Sequence, residues 1–197
     1  VFKIGLIGYT NAGKSPIMNV LTNKSQYEAD ELFATLDATT KSVNLTGRLN
    51  VTLTDTVGFI QDLPTELISS FKSTLEESKN VDLLVHVIDA SDPNHEEHEK
   101  TVLAIMKDLD MLDIPRLTLY NKADKAENFT PTLTPYVLIS AKKENSRAVL
   151  QEALLNKMRE LFVPFWIKVS PSKAYKLHEL ESLSIIDKRE YLEESET

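Results

Sequence analysis

Gly8, Gly13, Lys14 and Ser15 stand at the fixed positions of G-x-x-x-x-G-K-[ST], in the run Gly8-Tyr9-Thr10-Asn11-Ala12-Gly13-Lys14-Ser15. The glycines let the backbone wrap closely, so that its N–H groups point at phosphate oxygens. A helix starting at the loop's end adds partial positive charge. In this reading Lys14 reaches the terminal phosphates and the Ser15 hydroxyl binds Mg²⁺. A glycine turn with no ligand is the plain alternative, and the order strand, turn, helix disfavours it. Asp55-Thr56-Val57-Gly58 forms a second station at the end of a strand. Asp55 holds the Mg²⁺ through a water, and the Gly58 N–H touches the terminal phosphate until hydrolysis removes it. Alone, D-x-x-G is more often a turn than a site; its weight comes from lying on the next parallel strand. Asn121-Lys122-Ala123-Asp124 is the third station. The Asp124 carboxylate accepts from the N1–H and exocyclic amine of guanine, a donor pair that adenine lacks, so it selects the base: a buried carboxylate left unpaired rejects any other. Asn121 braces the loop and the Lys122 stem covers one face of the base. Ser140-Ala141-Lys142 is uninformative alone; after an N-K-x-D it reads as the backbone contact to guanine O6.

Apolar runs and helix-period segments must alternate to carry these stations. Phe2–Ile7 reads as a buried strand, and Ile17–Leu21 belongs to the helix after the glycine turn. Residues 26–40 read as a loop. Ser42–Leu45 and Val51–Thr54 read as strands joined in a hairpin around Gly47. Leu67, Ile68, Phe71 and Leu75 share one face of a helix over 66–77. Asp82–Ile88 is a strand buried on both sides. Glu96–Leu109 is a helix with Val102, Leu103, Ile105, Met106 and Leu109 inward. Arg116–Tyr120 and Tyr136–Ile139 are strands, followed by a helix over 147–162. The expected fold is α/β: a mostly parallel, six-stranded sheet with helices on both faces. Residues 1–162 form that domain. Pro164 and Pro171 bracket an expected short strand, Phe165–Val169, and Ala174–Ser182 is a candidate helix. Residues 163–197 read as the beginning of a small, truncated C-terminal module that leans on the first domain, with a mobile end.

The chain has 197 residues, 22 Lys+Arg against 30 Asp+Glu, and a formal charge of −8. Hydrophobic residues are 42% of the total, enough to exclude a wholly disordered chain. Cysteine is absent, which removes disulfides, Cys-ligated zinc and thiol nucleophiles, and agrees with a reducing compartment. The longest apolar run, Leu83–Ile88, is far below the ~20 residues a membrane span needs. No leader opens the chain, and its start at Val1 fits a fragment. The acidic total disfavours non-specific nucleic-acid binding without excluding a local basic patch. Lys72, Lys79, Lys122 and Lys125 are too scattered to form one. His95 and His98 read as an exposed, solvated helix face, and His86 as a satisfied core residue. Trp166, Phe162 and Phe165 read as packing between modules.

The motif order resembles that of translation-factor-related GTPases over residues 1–162. Gly8–Ser15 as G-Y-T-N-A-G-K-S, Leu32–Asp37 as L-F-A-T-L-D, Asp55–Ile60 as D-T-V-G-F-I, and Leu63-Pro64 just beyond are together similar to the HflX family of ribosome-associated GTPases. The resemblance implies a P-loop GTPase that is Mg²⁺-dependent, binds GTP and GDP, docks on the large ribosomal subunit and helps split or rescue ribosomes. It implies a cytoplasmic protein with a membrane-associated fraction, and a monomer. By the family motif, Phe33, Ala34, Thr35, Leu36 and Asp37 line the nucleotide, and Thr35 is the switch threonine that joins Mg²⁺ only with GTP. Thr39 and Thr40 compete for that role on residue type alone. The metal set is then Ser15, Thr35 and, through water, Asp55. Lys14, Thr35 and Gly58 carry the catalytic roles. Some related GTPases use an Asn at the Asn11 position to help bind K⁺; the alternative is that Asn11 only pins the loop.

Phe59 stands where many signalling GTPases carry the glutamine that orients the attacking water. A phenyl ring makes no such hydrogen bond, so slow intrinsic hydrolysis is expected. No side chain is an obvious general base, and water attack rests on positioning and electrostatics. Pro16 stands where the family places Ser or Thr. Proline has no N–H to offer the α-phosphate and biases Ser15 away from helical angles. Weakened nucleotide and Mg²⁺ binding is expected, at about a ten- to hundredfold loss for one charge-assisted hydrogen bond. Pro16 and Phe59 together keep open a largely non-catalytic interaction module. A small-molecule kinase is disfavoured, because such an enzyme needs no guanine selector.

Overall fold

The computed structural model describes residues 1–22, 39–47, 49–55 and 79–191. Six strands form one sheet: β1 (Phe2–Gly8), β2 (Thr39–Thr46), β3 (Leu49–Asp55), β4 (Leu83–Asp89), β5 (Arg116–Asn121) and β6 (Tyr136–Leu138). Their order is β2-β3-β1-β4-β5-β6. Every pairing is parallel except the β2–β3 hairpin, which turns at Gly47. Four α-helices are described: α1 (Lys14–Thr22), α2 (His95–Asp108), α3 (Ser146–Leu161) and α4 (Leu177–Leu183).

Strand alternation sorts the core into two layers. Leu6, Val85 and Val87 pack with Ile17, Met18, Leu150 and Leu154 of α1 and α3. Ile7 and Leu84, one step along, pack with Val102 and Met106 of α2 on the other face. Truncating such a buried Leu or Ile to Ala costs about 2–5 kcal/mol. The parallel strands all run the same way, so Gly8, Asp55, Asp89 and Asn121 come out at one edge. Leu6 pairs with Asp55, Gly8 with Val87, and Asp89 with Asn121. Ligands of open α/β sheets bind outside this carboxyl edge.

The α/β expectation holds, with corrections at particular elements. The inward face of α2 is Val102 and Met106, with Leu109 just beyond; Leu103 and Ile105 are only partly buried. No ladder forms over 165–169, because that run meets no partner strand among the described residues. Phe165 and Trp166 therefore lie exposed rather than packed between modules. Only Phe162 of that trio packs, edge-on against Phe2 at 5.3 Å. In place of a helix over 174–182 there is a 3₁₀ turn, Pro171–Lys176, followed by α4. Beyond α4, Ile185 packs on the main core and Asp187 meets Arg159 at 3.2 Å. The expected helix over 66–77, most of the 26–40 loop, Lys72, the segment starting near Pro64 and residues 192–197 lie outside the described residues.

Candidate nucleotide site

β1 ends at Gly8 and α1 begins at Lys14, so the phosphate-binding motif occupies a short turn between them. Ala12 N–H donates to Tyr9 O at 3.2 Å, and Ile17 N–H donates to Gly13 O at 3.1 Å, the first bond of the helix. Both glycines are needed by the packing itself. A Cβ at Gly8 would lie 2.4 Å from Val87 O, and one at Gly13 would lie 2.2 Å from Asn121 Nδ2. Gly13 also has φ +99°. Asn11 takes φ 61°, a region Asn tolerates better than most residues. Ser15 sits in the first turn of α1 despite the following proline, so the expected displacement from helical angles is not seen. The absent Pro16 N–H leaves no gap in the helix, because the first helical donors have no intrahelical partner.

Lys14 is only 8% exposed, and its Nζ rests 3.3 Å from Gly8 O. Burial pulls its ammonium below the usual lysine range, against the attraction of Asp55. Asp55 is 4% exposed. Burial pushes its carboxyl up, while Lys14, Lys41 and a hydrogen bond from Ser15 pull it down. Among the described residues Asp55 Oδ1 is buried without a hydrogen-bond partner. A buried, unpaired carboxylate oxygen beside a serine hydroxyl is the donor chemistry that suits a hydrated Mg²⁺. Thr40 Oγ1 is 2.9 Å from Thr54 Oγ1, which ties its hydroxyl to β3. Thr39 lies opposite Asp55 in the ladder. Phe33, Ala34, Thr35, Leu36, Asp37, Thr56, Val57, Gly58 and Phe59 lie outside the described residues.

At the end of β5, Asn121 is buried and works in two directions. Its Nδ2 donates to Ala12 O at 3.2 Å, and its Oδ1 accepts from Ala141 N–H at 3.1 Å. One side chain thus ties the phosphate loop to the Ser140-Ala141 loop. Lys122, at φ 59°, sends its ammonium to Asn11 O at 2.8 Å and Asp89 Oδ2 at 2.7 Å. Asp89 was missed by the sequence reading. Its signal was a carboxylate ending a strand that is otherwise buried and, His86 apart, apolar. Asp89 Oδ1 also accepts from Ser91 N–H and Oγ at 2.9 and 2.6 Å. Asp124 lies in the 3₁₀ turn Ala123–Lys125. Contrary to the buried selector expected, its carboxylate is exposed; a hydrogen bond from Ser140 holds it below the usual carboxylate range. Leaving such a group without a base costs less than burial would impose. Lys142 is exposed.

The histidines depart furthest from expectation. His98 is stacked flat on Tyr9, with centroids 3.7 Å apart and planes 6° apart. Its Nδ1 is 3.5 Å from Asp92. His95 Nδ1 meets Glu99 at 3.1 Å, and Glu99 also accepts from Tyr120 and Thr132. Both rings are mostly covered, because Tyr9 of the P-loop and the segment after β5 pack on this face of α2. His86 is buried, yet its Nδ1 has no partner among the described residues, so it is not the satisfied core residue expected. Burial lowers its pKa to about 3. It lines a cavity of about 30 Å³ with Tyr9, Asn11 and Asp89, large enough for a water molecule.

Strand order, the glycine turn and the Asn121 bridge define a P-loop GTPase domain. A family profile described as "50S ribosome-binding GTPase" matches residues 3–122. GTPase HflX of Alkalihalophilus pseudofirmus is 46% identical over 165 residues, covering 83% of this chain and 39% of that protein. GTPase HflX of Escherichia coli K12 is 43% identical over 130 residues, covering 66% and 30%. A GTP-binding protein of Sulfolobus solfataricus, solved in complex with GDP, superposes with TM-score 0.64 at 26% identity, covering 82% of this chain and 53% of that one. The chain belongs to the HflX family of 50S ribosome-binding GTPases. It spans about a third of the length of these curated relatives, 39% and 30% of the two described.

Proposed function

We propose that this chain binds GTP and GDP with Mg²⁺, hydrolyses GTP slowly, and uses its nucleotide state to control docking on the large ribosomal subunit, where it helps split or rescue ribosomes. One observation carries the nucleotide reading: Asn121 joins Ala12 of the phosphate loop to Ala141 of the base loop, so both halves of a nucleotide cradle are held as one unit. The backbone from Gly8 to Pro16 frames the phosphates. Lys14 moves from Gly8 O to the phosphates and neutralises their charge. Ser15, Thr35 and, through water, Asp55 hold Mg²⁺, which when bound neutralises phosphate charge. The Gly58 N–H reports the terminal phosphate, and Asp124 with Ala141 reads guanine. Phe33–Asp37 cover the nucleotide, and Asn11 is a candidate K⁺ ligand. The working state is a monomer in the cytoplasm, with a fraction at the membrane.

A second reading is favoured by Pro16: a chain that holds nucleotide weakly and acts mainly through its contacts. Phosphate release from GTP, followed with and without purified large subunits, separates the two. Release that the subunits accelerate supports a GTPase switch. No release under either condition, from a chain that still binds the subunits, supports the second reading. Equal turnover in KCl and NaCl at matched ionic strength removes the K⁺ role.

A further inference from the structure

Residues 163–178 are unlike the rest of the chain. They hold Lys168, Lys173, Lys176 and His178 and no Asp or Glu, in a protein of formal charge −8. Within them Val163 is 82% exposed, Phe165 69%, Trp166 77%, Ile167 56% and Tyr175 73%. Among the described residues these rings pack into no core. Of the neighbouring acids, Glu160 is engaged by Lys157, Asp187 by Arg159 and Glu181 by Arg189, while Glu179 follows the stretch directly and is exposed. No ion pair involves Lys168, Lys173 or Lys176 among the described residues, and all three are exposed. The 3₁₀ turn Pro171–Lys176 eclipses side chains at i and i+3, which stacks Lys173 and Lys176 on one side. Pro164 and Pro171 restrict the backbone of the stretch before binding, which lowers the ordering cost of holding a ligand.

Exposed flat rings interleaved with free ammonium groups are the chemistry of single-stranded nucleic acid: bases stack on the rings and phosphates meet the lysines. We propose that residues 163–178 form a contact surface for unpaired RNA, with Trp166, Phe165 and Tyr175 as stacking platforms and Lys168, Lys173 and Lys176 as phosphate contacts. This names a surface for the ribosome contact proposed above and rests on that reading for its biological setting. An acidic peptide fits the lysines but gives the rings nothing to stack on. A duplex hides the base faces that the rings require, so unpaired strands are preferred.

The chain has a single tryptophan, so Trp166 reports directly on the surface. The test is titration with a short fluorescein-labelled RNA of mixed, non-self-complementary sequence, followed by anisotropy and by Trp166 emission. The expected result is quenching of Trp166 and binding whose log K falls with log salt at a slope of roughly −2, as three phosphate contacts on a single strand give. Trp166→Leu should weaken binding by about five- to a hundredfold, the range for one lost stacked base. The triple variant Lys168→Glu, Lys173→Glu, Lys176→Glu should abolish measurable binding. GDP affinity should be unchanged in both variants, which shows that they fold. Absence of quenching, equal affinity for a duplex, or variants that bind RNA as the parent does would each overturn the proposal. The same variants on purified large subunits separate it from the ribosome reading. Subunit binding that is present and insensitive to them sinks the surface alone. RNA binding without any subunit binding sinks the ribosome reading and leaves the surface standing.

Discussion

The phosphate side and the base side of the candidate site are built on opposite physical plans. On the phosphate side, Lys14 and Asp55 are charged groups buried against their own solvation, and one carboxylate oxygen has no partner among the described residues. On the base side, Asp124 is exposed and already held by Ser140, and Asn121 has both its donor and its acceptor satisfied. The first half carries tension that a phosphate and a cation relieve; the second is settled before any ligand arrives. Affinity should therefore come mostly from the phosphate half, and selectivity from the base half.

The largest effect should come from Gly13→Ala. The added Cβ meets Asn121 Nδ2 and sits on a backbone at positive φ. It strikes the bridge between the halves, so GDP affinity measured by calorimetry should fall by at least about a hundredfold, the loss of two or more hydrogen bonds to charged groups. Lys14→Met should cost GDP about a hundredfold or more, while leaving any discrimination between GDP and ADP intact. If base selectivity fell with it, the two halves would not be separable in the way described. Asp124→Asn should lower GDP affinity by roughly thirtyfold and favour a xanthine nucleotide, since the amide donates where the carboxylate accepted. Competition between GDP and XDP reads this. Pro16→Thr should raise GDP affinity about tenfold by restoring an α-phosphate donor. An unchanged Kd would show that Pro16 is neutral.

The smallest effect concerns His86, which belongs to neither half but lies behind the phosphate loop. Its pKa falls from 6.5 to about 3 on folding, chiefly through burial. Between those values the unfolded chain binds a proton that the folded one does not. Stability is therefore full above pH 6.5 and falls as pH drops towards 3, by at most about 1.4 kcal/mol per pH unit from this group. Urea unfolding of His86→Leu across that window should show a shallower slope than the parent.

What could be read from the sequence was what local backbone carries. The run from Gly8 to Ser15 and the N-K-x-D turn are each contiguous, so their chemistry was legible before the fold. The Asn121–Ala12 bond and the Lys122–Asp89–Asn11 cluster were not, because they depend on which strands become neighbours. His95 and His98 look solvent-facing because they stand among Glu96, Glu97 and Glu99, yet they lie seven and four residues before Val102, on the stripe that α2 turns inward. Phe165–Val169 has the composition of a strand and no ladder among the described residues, because a strand requires a partner that composition does not supply. The exposure of Asp124 was missed for the reverse reason: its chemistry suggested burial, and the turn that carries it lies at the rim.

The most direct measurement is isothermal titration of the folded chain with GDP and with ADP in Mg²⁺ buffer. The two-sided cradle requires GDP to bind measurably and ADP at least about a hundredfold more weakly, since adenine offers the Asp124 carboxylate no donor pair. Equal affinity for the two diphosphates would contradict it, because the Asn121-to-Asp124 turn would then be contributing nothing to the choice of base.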